Sequence, residues 1–113
     1  MTLKNIVEEL QCTVCTGEDH LDEVVSGGYA GDLLSDVIAH AAAGSVWITM
    51  QVHVNIVAVA VLKDLAGIIL VQGRQPAEDT TKKAQEEHLP ILVCDLPAFE
   101  TAGKLTALLA EVT

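Results

Sequence analysis

Residues 45–75 read SVWITMQVHVNIVAVAVLKDLAGIILVQGRQ, and the division of this stretch into elements decides the fold. Its two ends, 45–50 and 67–71, are β-rich apolar runs of the length expected for strands buried on both faces. The intervening IVAVAVLKD is apolar at nearly every position, so periodicity cannot choose between helix and strand. Topology can. If the flanking strands are parallel neighbours, a crossover of at least about 10–12 residues must join them. Residues 52–66 supply it as a mostly buried helix, with Asn55 as its N-cap. The same stretch is long enough for a membrane span, but Gln51, His53, Asn55, Lys63 and Asp64 divide it.

Working outward, residues 2–10 place Leu3, Ile6, Val7 and Leu10 at helical spacing behind a Thr2 cap. Residues 11–16 read as a strand, 17–23 as a solvated acidic turn and 24–26 as a second short strand. Gly27-Gly28-Tyr29-Ala30-Gly31 reads as a loop, and Asp32 is positioned to cap a helix with a stripe of Leu33, Leu34, Val37, Ile38 and Ala41, ended by Gly44. On the other side, Gly73-Arg74-Gln75 forms a loop and Pro76 opens a helix with Glu78 and Asp79 in its first turn, running to about residue 88. A last strand spans 91–94, and Asp95 and Pro97 start a helix in which Phe99, Ala102, Leu105, Leu109 and Val112 share a face. Alternation of strand and helix predicts a three-layer α/β/α domain with a mostly parallel sheet, a single unit over 1–113. In such sheets ligands sit at the carboxyl ends of the strands, which directs attention to the loops at 27–32, 51–55, 73–75 and Asp95.

The chain has 113 residues, 11.9 kDa, and half of them are hydrophobic, with aromatics only 3% and a mean hydropathy of +0.41. The core must therefore be built from Val, Leu, Ile and Ala, and the size suffices for independent folding. Sixteen acidic against six basic residues give a net charge of -10, with no cluster of Lys or Arg to meet a phosphate backbone. Nucleic acid and anionic membranes are thereby disfavoured as partners. Glu8 and Glu9 interrupt any apolar run at the N-terminus that would serve as a secretory signal, which points to the cytoplasm. Three cysteines in such a chain read as reduced thiols.

Several groups carry potential chemistry. Cys12 and Cys15 form a C-x-x-C, open to a metal or redox role, but on a strand residues three apart point to opposite faces. Cys94, His20, His40, His53 and His88 lie scattered without ligand spacing, so no metal site and no cofactor is expected. Gly27, Gly28 and Gly31, with Tyr29 and Asp32, could free backbone N–H groups for an anion ahead of a helix, or simply supply a turn with positive φ. His53 and Asn55 alternate with Val52 and Val54 and would share one side of an extended segment; alternatively Asn55 only caps the helix. As an acid/base pair, His53 would need Asp32 or Asp95 beside it. Arg74, the sole arginine, lies between Gly73 and Gln75 and suits either a carboxylate or phosphate ligand or an ion pair with Asp32 or Asp95. No G-x-x-x-x-G-K-[ST] phosphate loop occurs.

Three segments, VSGGYAGDLLSDVIAHA, the middle block from SVWITM to VQGRQP, and LPILVCDLPAFETAGKL, resemble the DRTGG-domain family and, more distantly, the N-terminal domain of HPr kinase/phosphorylase. The similarity extends from about Leu3 to Leu109, although the literal string Asp-Arg-Thr-Gly-Gly is absent. The resemblance implies an α/β/α domain of the HPr-kinase N-terminal type that dimerises and acts as a regulatory or ligand-sensing module, without catalysis; in the kinase, phosphoryl transfer belongs to a separate C-terminal domain, before which this chain ends. It carries over the Gly-rich segment leading into Asp32–Ser35 and the Gly-Arg-x-Pro at 73–76. The expectation is a non-enzymatic homodimer in which Gly27, Gly28, Tyr29, Gly31, Asp32, Ser35, His53, Asn55, Gly73 and Arg74 bind a small anionic or nucleotide-like ligand or a partner protein. The competing readings are a small transferase or hydrolase using His53 with a carboxylate, and a metal or redox protein using Cys12 and Cys15.

Overall fold

Parallel pairing in the middle of the chain organises the sheet. In the computed structural model, which describes residues 1–111, β3 (Ser45–Thr49) and β4 (Gly67–Leu70) run side by side with Val46 opposite Gly67 and Thr49 opposite Leu70. The crossover between them is the helix α3 (Asn55–Leu62), with Ile56, Val57, Val59 and Ala60 buried. Around this unit the chain adds α1 (Leu3–Leu10), β1 (Thr13–Thr16), a 3-10 turn (Glu18–His20), β2 (Gly27–Ala30), α2 (Leu34–His40), α4 (Glu78–Glu86), β5 (Ile91–Val93) and α5 (Ala98–Glu111). The strand order is β1-β5-β4-β3-β2, with β2 to β5 parallel and β1 antiparallel to β5 at the edge.

Side chains on the central strands alternate between two apolar clusters. Trp47, Ile68, Leu70, Ile91 and Val93 pack beneath α2, α3 and α4, whereas Val46, Ile48, Ile69, Val71, Leu92 and Cys94 pack beneath α1 and α5. The three-layer α/β/α arrangement with a mostly parallel sheet follows. Trp47, fully buried, satisfies its indole by donating Nε1–H to the Gly31 carbonyl at 2.8 Å. At the N-terminus, Thr2 caps α1 in a reciprocal box with Asn5.

Four local expectations are corrected. Residues 27–30 form the strand β2, not a loop, in register with β3 from Gly27 opposite Ser45 to Ala30 opposite Ile48. Glycine suits this edge because a Cβ on Gly28 would come within 3.0 Å of Leu105 Cδ2, so its absence lets α5 lie close over the strand. Residues 24–26 instead dock beside the start of α1, through a single bridge between Val24 and Thr2 and a bond from the Val25 N–H to the Met1 carbonyl. Neither Asp32 nor Asn55 is an N-cap: Leu33 and Val54 occupy those positions without side-chain capping bonds. Phe99 is 86% exposed and Leu33 67% exposed, so neither joins its helix's buried stripe, which rests on Leu105 and Thr101 in α5 and on Val37 in α2. Val112 lies outside the described residues.

The turn after β1 is fastened to the start of β5. Thr16 donates its hydroxyl to the Leu89 carbonyl at 2.7 Å and accepts the Ile91 N–H at 2.9 Å. Gly17, at φ +74°, sits so close that a Cβ would fall 2.6 Å from Pro90 Cα. Gly17→Ala therefore combines a left-handed backbone with a backbone collision and is expected to lower stability by more than about 1 kcal/mol. Gly103→Ala, in α5 with nothing within 4 Å of its added Cβ, should instead raise stability by about 0.5–1 kcal/mol. Urea denaturation midpoints of the two variants check both signs.

Candidate functional site

Because β2 to β5 are parallel, the segments that leave their carboxyl ends open on one edge of the sheet. These segments are bonded to one another in series. Asp32 Oδ1 accepts the Thr49 hydroxyl and the Met50 N–H, both at 2.7 Å, which joins the end of β2 to the end of β3. Gln51 extends the junction, donating Nε2–H to the Asp32 carbonyl at 3.1 Å and its N–H to Thr49 Oγ1 at 3.1 Å. The Val52 carbonyl then accepts the Ala77 N–H and the Thr80 hydroxyl, tying the β3–α3 segment to the start of α4. The Gly73 and Gln72 N–H groups donate to the Cys94 and Leu96 carbonyls and complete the series at β5. Gln72 and Gly73 both adopt left-handed φ, 60° and 66°, which makes the sharp turn that exposes Arg74.

The residues singled out from the sequence divide between this edge and other places. Gly31, Asp32, Ser35, His53, Asn55, Gly73 and Arg74 sit in or beside its loops, and Ser35, His53, Asn55 and Arg74 are exposed. Gly27, Gly28 and Tyr29 lie within β2, with Gly27 at its far end. None of Gly27, Gly28 and Gly31 has positive φ, so they form neither a phosphate cradle nor a left-handed turn; the Gly31 N–H bonds to the Ile48 carbonyl. His53 and Asn55 do not share an extended segment: the His53 carbonyl accepts the Ile56 N–H as α3 begins. Asp32 and Asp95 follow β2 and β5, three strand positions or about 14 Å apart, so the two carboxylates do not stand together. Among the described residues Arg74 pairs with neither aspartate.

A second polar group lies on the helical side of β2. The Tyr29 hydroxyl donates to Asp36 Oδ2, and His40 Nδ1 lies 3.1 Å from Asp36 Oδ1 one turn along α2. The bond that the phenol donates to Asp36, then desolvation and the carboxylate's charge, raise the Tyr29 pKa above its ordinary value. The i,i+4 spacing of Asp36 and His40 was the available signal for this pair; Tyr29 could join it only once β2 was a strand. An apolar groove of about 290 Å³ opens on the opposite side of β2, between Gly28, Ala30 and Ile48 and the α5 residues Ala102, Leu105 and Leu109.

The cysteines separate as alternation requires. Cys12 packs with Cys94 in the α1/α5 cluster, while Cys15 packs against the α2/α3/α4 cluster. Burial, reinforced by the neighbouring Cys94, pushes the Cys12 thiol up to about 12; burial and Glu18 raise Cys15. Both are thereby held as thiols at neutral pH, the opposite of what a thiolate nucleophile requires.

The family model for the DRTGG domain matches residues 5–108. The chain belongs to the DRTGG domain family. Among solved structures it is similar to the CBS and DRTGG domains of the regulatory region of Clostridium perfringens pyrophosphatase, crystallised with the activator diadenosine tetraphosphate. The TM-score is 0.71 at 13% sequence identity, and the match covers 92% of this chain and 45% of that one. No curated protein matches the sequence. The DRTGG domain here thus spans less than half the length of the regulatory region it resembles. Among the described residues, no helix is long and apolar enough to cross a membrane.

The series of bonds along the edge predicts a coupled loss. Asp32→Ala removes the carboxylate that accepts two bonds, one from the buried Thr49 hydroxyl and one from the exposed Met50 N–H. A loss of about 1–3 kcal/mol is expected, with faster hydrogen exchange at residues 49–51 and unchanged exchange in β5.

Proposed function

We propose that this DRTGG domain is a non-catalytic regulatory module that senses a small anionic, nucleotide-like ligand at the carboxyl edge of its sheet. The single observation that carries the reading is the exposed Arg74, held on a left-handed turn at the edge where parallel sheets bind ligands, with His53 and Asn55 exposed on the segment that leaves the neighbouring strand β3. A guanidinium with no ion-pair partner among the described residues is suited to bidentate capture of a phosphate, and in a chain of net charge -10 it is the one Arg available for it. Gly73 next to it and the Asp32–Thr49–Gln51 junction would fix the loops that flank the ligand, with Gly31 and Ser35 at the margin. The nucleotide class is supported by the similar regulatory region, whose structure holds diadenosine tetraphosphate. A role without catalysis is supported by the similarity to a regulatory region and by the burial that keeps Cys12 and Cys15 as thiols. We further read the chain as one domain, active in the cytoplasm as a homodimer. An apolar outer surface that includes Leu62, 68% exposed, and Val61 on α3 supports self-association.

Diadenosine tetraphosphate at hundredfold excess over its Kd is expected to raise the melting temperature, equivalent to about 2.7 kcal/mol, and Arg74→Ala to abolish the rise without altering the unliganded Tm. An equal rise in the variant would remove Arg74 from the site, and no response to any nucleotide would turn the reading toward a partner protein. Light scattering at micromolar concentration should give twice the chain mass; a monomer mass refutes the dimer.

A further inference from the structure

On the amino edge of the sheet, opposite the proposed ligand edge, two histidines that are 68 positions apart in sequence come together. His20, on the 3-10 turn after β1, and His88, just past α4, have ring centroids 5.4 Å apart. Asp19 joins them, and one ligand atom from each of the three lies within 4.8 Å of the others. The expectation that these histidines are scattered is thus corrected: chain separation hid a spatial cluster. We propose that Asp19, His20 and His88 bind a borderline divalent transition metal such as Zn2+.

The donor set fits that class. Two imidazole nitrogens and one carboxylate oxygen suit Zn2+, Ni2+, Cu2+ or Co2+, whereas Mg2+ and Ca2+ favour all-oxygen sets. In a tetrahedral zinc site ligand atoms lie about 3.4 Å apart, so closure needs shifts of roughly 1 Å, within reach of side-chain rotation at a partly exposed site. Water completes the coordination. The adjoining cavity, about 190 Å³, is lined by Glu23, Asp64 and Glu87; Lys83 pairs with Glu87 at 3.4 Å, and Glu23 and Asp64 tilt the local field toward a cation.

The turns that carry the two histidines are held against each other by the bonds of Thr16 and by the close approach of Gly17 to Pro90; the Gly17 N–H also reaches Gln85 Oε1 at 3.5 Å. The backbone at His88 is a second pointer. His88 is left-handed, φ 56°, at the position after a helix where glycine or asparagine is favoured, and its N–H bonds to the Gln85 carbonyl. A histidine kept in that conformation places an imidazole where the chain would more easily have none.

The test titrates Zn2+ into the metal-free full chain by calorimetry, with melting temperatures measured in parallel. One Zn2+ per chain is expected, with a rise in Tm. His20→Ala and His88→Gly should each weaken binding at least about tenfold. Because glycine relaxes the left-handed backbone, His88→Gly should keep or raise the metal-free Tm while losing the zinc-dependent rise. The Co2+ complex should lack thiolate-to-cobalt charge transfer. The proposal is overturned by wild-type affinity in both variants, by no Zn2+ binding, by a thiolate band that moves the metal to the cysteines, or by displacement with millimolar Mg2+, which would mark a diffuse acidic surface.

Discussion

Parallel pairing of β2 to β5 is the constraint on which the rest of the structure depends. A parallel neighbour cannot be reached by a tight turn, so each pair of strands requires a connection that crosses the sheet. That requirement makes α3 a helix although its β-branched residues favour strand, and it covers one face with α2, α3 and α4; α1 before β1 and α5 after β5 cover the other. It also sends every strand from β2 to β5 out of the same edge. The edge is then stiffened by bonds from Asp32 to Thr49 and Met50, from Ala77 and Thr80 to Val52, and from Gln72 and Gly73 to the segment after β5.

Much of this was legible in the residues. The stretch 45–75 divides into strand, helix and strand as its crossover length demands, and Pro76, Glu78 and Asp79 mark the start of α4 within two residues. The opposite orientations of Cys12 and Cys15 follow from strand alternation alone. What could not be read were elements defined by distant partners. β2 is Gly-Gly-Tyr-Ala, with neither alternation nor β-branched residues; it is a strand because β3 offers it a row of bonds and α5 fits over Gly28. Asp32 has the residue type and position of an N-cap, but the Thr49 hydroxyl and Met50 N–H across the edge claim its carboxylate. Phe99 obeys helical spacing and is exposed because the buried stripe of α5 runs through Thr101 and Leu105, which leaves Phe99 outside it.

The positions of the candidate residues in the fold were legible to a similar degree. The loop residues of the carboxyl edge are placed together by topology, whereas Gly27, Gly28 and Tyr29 move into a strand that carries different neighbours: Leu105 on one side and Asp36 on the other. His20 and His88 show why ligand spacing in sequence is a one-way test. Short spacing reveals sites built on one turn, and is silent on sites built between turns that only the sheet brings together. Arg74, His53 and Asn55 then lie on one edge and the histidine pair on the other, with the apolar core between them.

The most direct test of the carboxyl-edge account is a two-dimensional 1H–15N NMR titration of the chain with diadenosine tetraphosphate. The account predicts saturable shifts at residues 31–35, 50–55 and 72–76, with β1 and the turn at 17–20 unmoved. Shifts centred on the groove between β2 and α5, or none at concentrations that saturate nucleotide sensors, would contradict it.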